Sequence, residues 1–557
     1  MQSNISRKDF VRCALGLPML TGVAAVEAAP SSANDLGKYF IKKRYTPAPL
    51  PRWESTKDRL PAPAYDDRPD WVSMYWKSWE LAFRNFHEPA PASGFVSQFI
   101  DAAFNADIFL WDSCFMTMFC NYAHSLVPGI GTLDNFYAKQ HLDGEICREI
   151  VRNTGIDYSE WVNRENRALF SRWGKEPSTS KVPYDVLYRG RPAPRNNPKL
   201  TLDALNHPIL AWAEVESYGI TGDKARLDLV WEPLVRYYDA LQEYLRQGNG
   251  LYMTDWASMD NSTRNTWLDG GGTGIDISSE MVLFARNLAA IAGIQGHPEK
   301  AKRFAAEAER LSGMINEKMW DPERRFYFDL TQDGKRAPVK TIAGFWPLLA
   351  KVASAAQADA LADELKNPKT FNRQHRVPTL AADESGYDPA GGYWTGSVWA
   401  PTDTMVIRGL ENYGHDALAR EIALNHLNNA AQVYERTATI WENYAPDSTA
   451  AGKPARPDFA GMSAVGPILY LIEYAVGLRA NARDNSLHWK LAAGIRHGCE
   501  RFRFNGHVTS LLAEPKSNAP GSFRLKIESD GEYTLHLYSE AARKDLKVLR
   551  GHQELET

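Results

Sequence analysis

Five short segments combine carboxylates with aromatic, hydroxyl and amide side chains: Phe109–Phe115, Asn206–Trp212, Trp256–Arg264, Gly391–Trp399 and Ile440–Tyr444. Each interrupts a helical pattern, so each is expected in or beside a loop, where functional groups concentrate. Two of them set a carboxylate among aromatics and amides, at Asp260 and Glu442. Paired carboxyls suit cleavage of a glycosidic bond. A protonated one delivers a proton to the leaving oxygen, and an ionised one attacks carbon or activates water. An acid at Asp260 needs a raised pKa, which burial near Trp256 would supply. Arg264 would oppose that shift by direct contact, and is read instead as a substrate ligand. Taken singly, each carboxylate is a helix cap or a salt-bridge partner, and Asp260-Asn261-Ser262 reads as an N-cap run. Trp394 and Trp399 taken singly are core. Only the joint pattern lifts these residues above that reading.

That joint pattern resembles the glycoside hydrolase clan of trehalases and family 63 α-glucosidases, and most of all its bacterial mannosylglycerate hydrolase-like branch. Trp111-Asp112-Ser113 is similar to the family's WDS segment. His207-Pro208 with Leu210-Ala211-Trp212 is similar to QPP-x-LAW, and Met259–Arg264 to GMDNSPR. Gly392–Gly396 with Val398-Trp399 is similar to GYWRGPVW, and Trp441–Tyr444 to (W/H)ENY. Each string alone is weak, but all five occur in the family's order. The resemblance implies a mainly α fold, an (α/α)6 toroid with the site at one end of a central funnel. It implies an exo-acting, inverting glycosidase with Asp260 as general acid and Glu442 as general base. Inversion requires carboxyls about 6.5–9.5 Å apart, to admit water. Trp111, Asp112, Tyr393 and Trp394 would line the sugar subsite, joined by His207, Asn261, Arg264 and Trp441 as substrate contacts.

Alternatives for the two roles are Asp255 and Asp269 for the acid, and Glu435 and Asp447 for the base. The sequence departs from the family at Asn206-His207, Ile209, Thr263, Thr395 and Ser397, which argues against naming trehalose or mannosylglycerate as substrate. Asp143–Glu149 is similar to the DG-x-I-P-R-E stretch of family 63, with Cys147 in place of Pro. Its Arg148 and Glu149 either pair structurally or reach substrate. Gly391-Gly392 implies a turn or close backbone approach. Gly270–Gly274 lacks the lysine and the setting of a phosphate loop and reads as a flexible loop near the funnel mouth.

The elements that must hold these groups are legible from periodicity. Val72, Tyr75, Trp76, Trp79, Phe83 and Phe86 share a helical face. Helices are expected over 112–123, 208–218, 227–246, 278–293, 298–319, 339–353, 356–365, 400–413, 415–433 and 463–476. Residues 29–70 are rich in Pro and charge and read as an extended arm, leaving a helical domain over 71–482. From 483 to 557 short alternating strands predict a small antiparallel β domain: His497–Phe504, His507–Ala513, Ser522–Ser529 and Glu532–Tyr538. Asp530-Gly531 signals a hairpin between the last two.

Residues 1–28 read as an export signal. Arg7, Lys8 and Arg12 precede an apolar stretch, and Val26-Glu27-Ala28 offers a cleavage site. Ser6–Val11 resembles a twin-arginine motif with Lys8 in place of the second arginine, so both the Tat and Sec routes stay open. A periplasmic or secreted bacterial protein is expected. The mature chain keeps Cys114, Cys120, Cys147 and Cys499, with no C-x-x-C spacing. They are read as buried thiols, with Cys114–Cys147 or Cys120–Cys147 as possible disulfides.

The 557 residues carry 64 basic and 68 acidic side chains, a net charge of -4, with 44% hydrophobic residues. That excludes a disordered chain and a multi-span membrane protein, and it gives no basic surplus for nucleic acid. No later stretch reads as a membrane span. The 17 Trp and 24 Tyr suit sugar stacking. No cofactor and no metal site are expected, although calcium held by loop carboxylates stays open. Carbohydrate is the expected partner. A uronate lyase on the same toroid would cast Tyr393, His207 and Arg264 as its proton-abstracting and charge-neutralising groups. A non-catalytic glycan-binding protein is the third reading.

Overall fold

A computed structural model of the protein describes residues 36–42, 44–156, 207–254, 259–268, 272–516, 521–539 and 543–556. The expected export signal, Asn206, Trp256, Asp255 and Asp269 lie outside these residues. The chain is mainly helical, with a C-terminal sheet region.

Among the described residues, six helical elements form the centre. Leu110–Cys120 packs on Leu210–Thr221, which packs on Ile275–Gln295, which packs on Trp346–Leu349, which packs on Ala400–Glu411. The tight turn Met462–Ala464, continuous with the π-helical Gly466–Val476, touches both Ala400–Glu411 and Leu110–Cys120. These elements are apolar nearly all round, as their burial requires: every residue of Leu110–Cys120 and of Gly466–Val476 is buried. Outside them lie amphipathic helices with one apolar stripe, Pro69–Phe83, Lys224–Leu245, Pro298–Lys318 and Asp416–Thr437.

Stop signals act where the sequence places them. Gly222 ends one helix at φ 70°, and the Asp223 carboxylate caps the next by accepting from the Arg226 N–H. Two helical expectations change. Residues 339–353 do not form one helix but a tight turn, Ile342–Phe345, followed by Trp346–Leu349. Pro347 has no N–H and fits only a first helical turn. Phe86 leaves the helical face for a short strand. Ile275–Gln295 is also long and apolar enough to cross a membrane, yet it is mostly buried inside the protein. It is a core helix.

Strand β1 is Ala62–Tyr65. Three short antiparallel pairs follow: β2 Phe86–His87 with β3 Phe99–Ile100, β4 Asp107–Phe109 with β5 Glu149–Val151, and β6 Trp320–Asp321 with β7 Phe326–Tyr327. The C-terminal strands are β8 Leu478–Asn481, β9 Ser486–Lys490, β10 His497–Phe504, β11 His507–Pro515, β12 Phe523–Ser529, β13 Tyr533–Tyr538, β14 Arg543–Val548 and β15 Gly551–Glu556. They form two sheets, ordered β1-β10-β11-β12-β15 and β14-β13-β9-β8. Within the stretch expected to be an extended arm, β1 pairs with β10 and so becomes an edge of the C-terminal sheet.

The expected hairpin at Asp530-Gly531 does not form. β12 and β13 belong to different sheets, and β13 runs parallel to β9. The reason is burial. Phe523, Leu525 and Ile527 on one strand and Tyr533, Leu535 and Leu537 on the other are all buried. Crossing between sheets lets apolar faces meet, with the Phe504 and Tyr533 rings 5.0 Å apart and Trp489 and His497 5.7 Å apart. Cys114, Cys120, Cys147 and Cys499 are buried thiols, and neither disulfide forms.

Candidate active site

Asp260 sits on a turn before the short helix Asn265–Leu268. The Asn265 side-chain amide steadies that turn by donating to the carbonyls of Met259 and Asp260. Asn261 reaches across to the loop of Tyr393. Its amide donates to the Gly392 carbonyl at 2.9 Å, and its oxygen accepts from the Trp394 N–H at 2.9 Å. Both ends of that amide are therefore engaged by backbone. Asn261, expected to bind substrate, joins two loops.

The receiving loop is held in an unusual backbone. Gly391, Gly392 and Tyr393 all have positive φ, at 114°, 56° and 68°. A Cβ on Gly392 would lie 2.1 Å from Thr395 Oγ1, and one on Gly391 would lie 2.5 Å from Ser397 Oγ. The close approach expected there is present. For Tyr393 the left-handed conformation is strained, a feature that clusters at functional sites. It aims the phenol at Glu442, whose Oε1 accepts its hydrogen bond at 3.1 Å. Glu442 is buried. Its backbone is pinned by the Arg456 carbonyl and by the Ser463 hydroxyl, and its Oε2 lies 3.9 Å from Arg456 Nε.

Aromatic rings line the same region. Trp394 stacks on Trp399 at 4.8 Å and meets Trp111 edge-on at 6.3 Å. His207 lies 6.1 Å from Trp111 and stacks on Trp346 at 6.2 Å. The His207 ring is oriented by Glu280, with Nδ1 to Oε2 at 2.6 Å. Glu280 lies inside the core helix Ile275–Gln295, and burial pushes its carboxyl up to about 7 against the opposing pull of His207. Asp112 is buried in the first turn of Leu110–Cys120, beside Trp111. Trp441 is half-buried, and its indole N–H donates to the Thr437 hydroxyl rather than toward the other rings.

Arg264 does not stand ready for substrate. It is completely buried, and its guanidinium is forked onto two carboxylates. Nε and Nη2 bond Asp329 at 2.9 and 2.6 Å; Nη2 also bonds Asp276 at 3.0 Å, and Nη1 bonds the same carboxylate. Burial would push the Asp276 carboxyl up, but Arg264 outweighs it and holds the group below its usual range. The triad anchors the turn that carries Asp260.

The remaining candidates separate on burial and partners. Glu435 is exposed, and Asp447 is ion-paired to Arg373 at 2.7 Å. Arg148 and Glu149 stand side by side with charged atoms 3.9 Å apart, at the edge of the strand pair that leads into Trp111. Thr273 in the glycine-rich segment is bridged to both Met253 and Leu330, so the described part of that segment is packed rather than loose. Sequence reasoning missed Glu280, Asp276, Asp329 and Trp346. Each lies in a helix or strand-like segment whose pattern reads as core, and only its partner reveals it.

Paired carboxylates and stacked aromatics at joined loops can hold a sugar ring and cleave its glycosidic bond. The chain belongs to the mannosylglycerate hydrolase MGH1-like glycoside hydrolase domain family, whose sequence model matches residues 160–460. It is a glycosidase. An uncharacterized protein of Borreliella burgdorferi is 26% identical over 435 residues, covering 76% of this chain and 82% of that one. A periplasmic trehalase of Pseudomonas aeruginosa is 30% identical over 143 residues, 25% of each chain. The structure is similar to that of the GH63 mannosylglycerate hydrolase of Thermus thermophilus in complex with glucose, with a TM-score of 0.51 and 20% identity over 71% of this chain and 99% of that one.

Proposed function

We propose that the protein is an exported, exo-acting, inverting glycoside hydrolase, with Asp260 as general acid and Glu442 as general base on an (α/α)6 toroid. The observation that carries this reading is one chain of contacts. Asp260 adjoins Asn261, Asn261 is bonded to Gly392 and Trp394, and Tyr393 between them is bonded to Glu442. Two carboxylates distant in sequence are thereby linked through a single aromatic loop. The closed succession of six central helical elements supports the toroid.

In this reading a protonated Asp260 gives its proton to the leaving glycosidic oxygen. Glu442 takes a proton from water as that water attacks the anomeric carbon from the opposite face. The Tyr393 hydroxyl holds Oε1 and so orients the carboxylate toward that water. Trp111, Asp112, His207, Tyr393, Trp394 and Trp441 contact the sugar, while Asn261 and Arg264 position the acid. A glycoside, α-linked, is the substrate. His207, Thr263, Thr395 and Ser397 depart from the family's strings, so neither trehalose nor mannosylglycerate is named as the substrate. The periplasmic relative is in keeping with export of the mature chain after an N-terminal signal over 1–28. Residues 29–70 then form an arm that contributes one strand, 71–482 the catalytic toroid, and 483–557 the β domain.

The test is hydrolysis of a panel of α-linked glucosides, mannosides, galactosides, rhamnosides and uronides by wild type, Asp260→Asn and Glu442→Gln. Proton NMR would follow the first-formed anomer. Sugar released with inverted configuration by wild type alone supports the reading. Retained configuration, full activity in either variant, or an unsaturated ultraviolet-absorbing product would overturn it.

A further inference from the structure

Apart from the site above, three buried side chains far apart in sequence converge: His375, Asp403 and His426. His426 Nδ1 lies 3.1 Å from His375 Nε2 and 2.9 Å from Asp403 Oδ2. All three residues offer ligand atoms within 4.8 Å of one another. His375 comes from the loop before the Tyr393 segment, Asp403 from the helix Ala400–Glu411 and His426 from Asp416–Thr437. Their side chains are sealed from solvent.

Hydrogen bonding alone serves this arrangement poorly. A ring nitrogen is either a donor with one hydrogen or an acceptor with one lone pair. His426 Nδ1 faces two polar atoms at bonding distance and can satisfy only one of them well. The second oxygen of Asp403 and the Nε2 of His426 are buried without hydrogen-bond partners. A cation removes the conflict at His426 Nδ1, because the lone pairs of that atom, His375 Nε2 and Asp403 Oδ2 can then share one positive centre. Bonds of about 2.0–2.2 Å from nitrogen and carboxylate oxygen put neighbouring donors roughly 3–3.5 Å apart; the observed separations, 3.1 and 2.9 Å, lie at and just below the short end of that range.

We propose that His375, Asp403 and His426 form a structural site for a divalent transition-metal ion. Two imidazoles and one carboxylate suit zinc. The site lies directly behind the segment that carries Glu442. The Tyr444 ring packs on His375 and His426 at 5.5 and 5.8 Å, and the His375 backbone N–H donates to the Pro446 carbonyl. The ion clamps two helices and a loop against that segment and takes no part in bond cleavage. The sequence hides the site because no two of its ligands share a recognisable spacing.

The test is metal content by mass spectrometry on wild type, His375→Ala and Asp403→Asn, with circular dichroism to confirm that the variants fold. Wild type is expected to hold about one zinc per chain, to lose thermal stability on chelation and to regain it with added Zn²⁺ alone. Cobalt substitution should give a visible ligand-field band. Asp403→Asn keeps the side chain's shape and should weaken retention about tenfold or more. Substoichiometric metal in wild type with a Tm unmoved by Zn²⁺ would overturn the site and leave a hydrogen-bonded cluster. Equal metal content in wild type and Asp403→Asn would overturn it too.

Discussion

Tyr393 donates a hydrogen bond to Glu442 Oε1 at 3.1 Å from a backbone held at φ 68°. The strained conformation and the contact belong together. Gly391 and Gly392 have already turned the chain, and the loop is tied by Asn261 on one side. If Glu442 is the base, Tyr393→Phe removes a bond to its ionised form. The expected result is kcat lowered about tenfold and the acidic limb of the pH–rate profile moved to higher pH, because a hydrogen bond to a carboxylate favours its ionisation. Initial rates across pH for both proteins would check this. An unchanged profile would mean that the phenol only fills space.

Asn261→Ala cuts the tie between the Asp260 turn and the Tyr393 loop. Two hydrogen bonds are lost, each worth about 0.5–1.5 kcal/mol net, so Tm should fall by only a few degrees. Activity should fall further than stability does, by about tenfold or more in kcat/KM, since small misplacement of reacting groups is costly. Kinetics beside a thermal melt separates the two effects.

Arg264→Lys tests the anchoring role. Lysine cannot reproduce the fork that engages Asp276 and Asp329, and it leaves buried carboxylates poorly paired. A loss of about 3–5 kcal/mol is expected on urea unfolding. Were Arg264 a substrate contact instead, KM would rise with stability unchanged.

Glu473 provides a pH-dependent prediction away from the site. Burial would raise its carboxyl, but Arg408 and Arg479 outweigh it and hold the group down at about 2. A depressed folded-state value contributes stability that is fully present above the unfolded value near 4.5 and is lost as pH falls toward 2. Wild-type Tm should therefore decline from about pH 5 downward. Glu473→Gln should be less stable at neutral pH, because it removes the buried carboxylate that pairs with both Arg408 and Arg479, and should show a shallower acid decline. Calorimetric melts from pH 7 to 3 would measure both slopes.

Much of the fold was legible because its elements are locally encoded. The alternation of Phe523, Leu525 and Ile527 marks β12, and the stripe Val72–Phe83 marks the first long helix. Gly222 and Asp223 announce a helix end and start from their own backbone and side-chain chemistry. The five site segments could be found because each combines polar and aromatic residues where a helical pattern breaks. By itself, then, the sequence determined the element types, the mainly helical class with strands at the C-terminus, and the segments that carry Asp260 and Glu442. Tertiary structure decided everything that depends on which buried face meets which. It sent β12 and β13 to different sheets, gave Arg264 to Asp276 and Asp329, and paired His207 with Glu280. It also brought His375, Asp403 and His426 to one point. The physical reason is common to all four. Periodicity along a chain records how a residue faces its own element, whereas a buried charge or apolar row is satisfied by partners supplied from distant segments, and no local spacing records them.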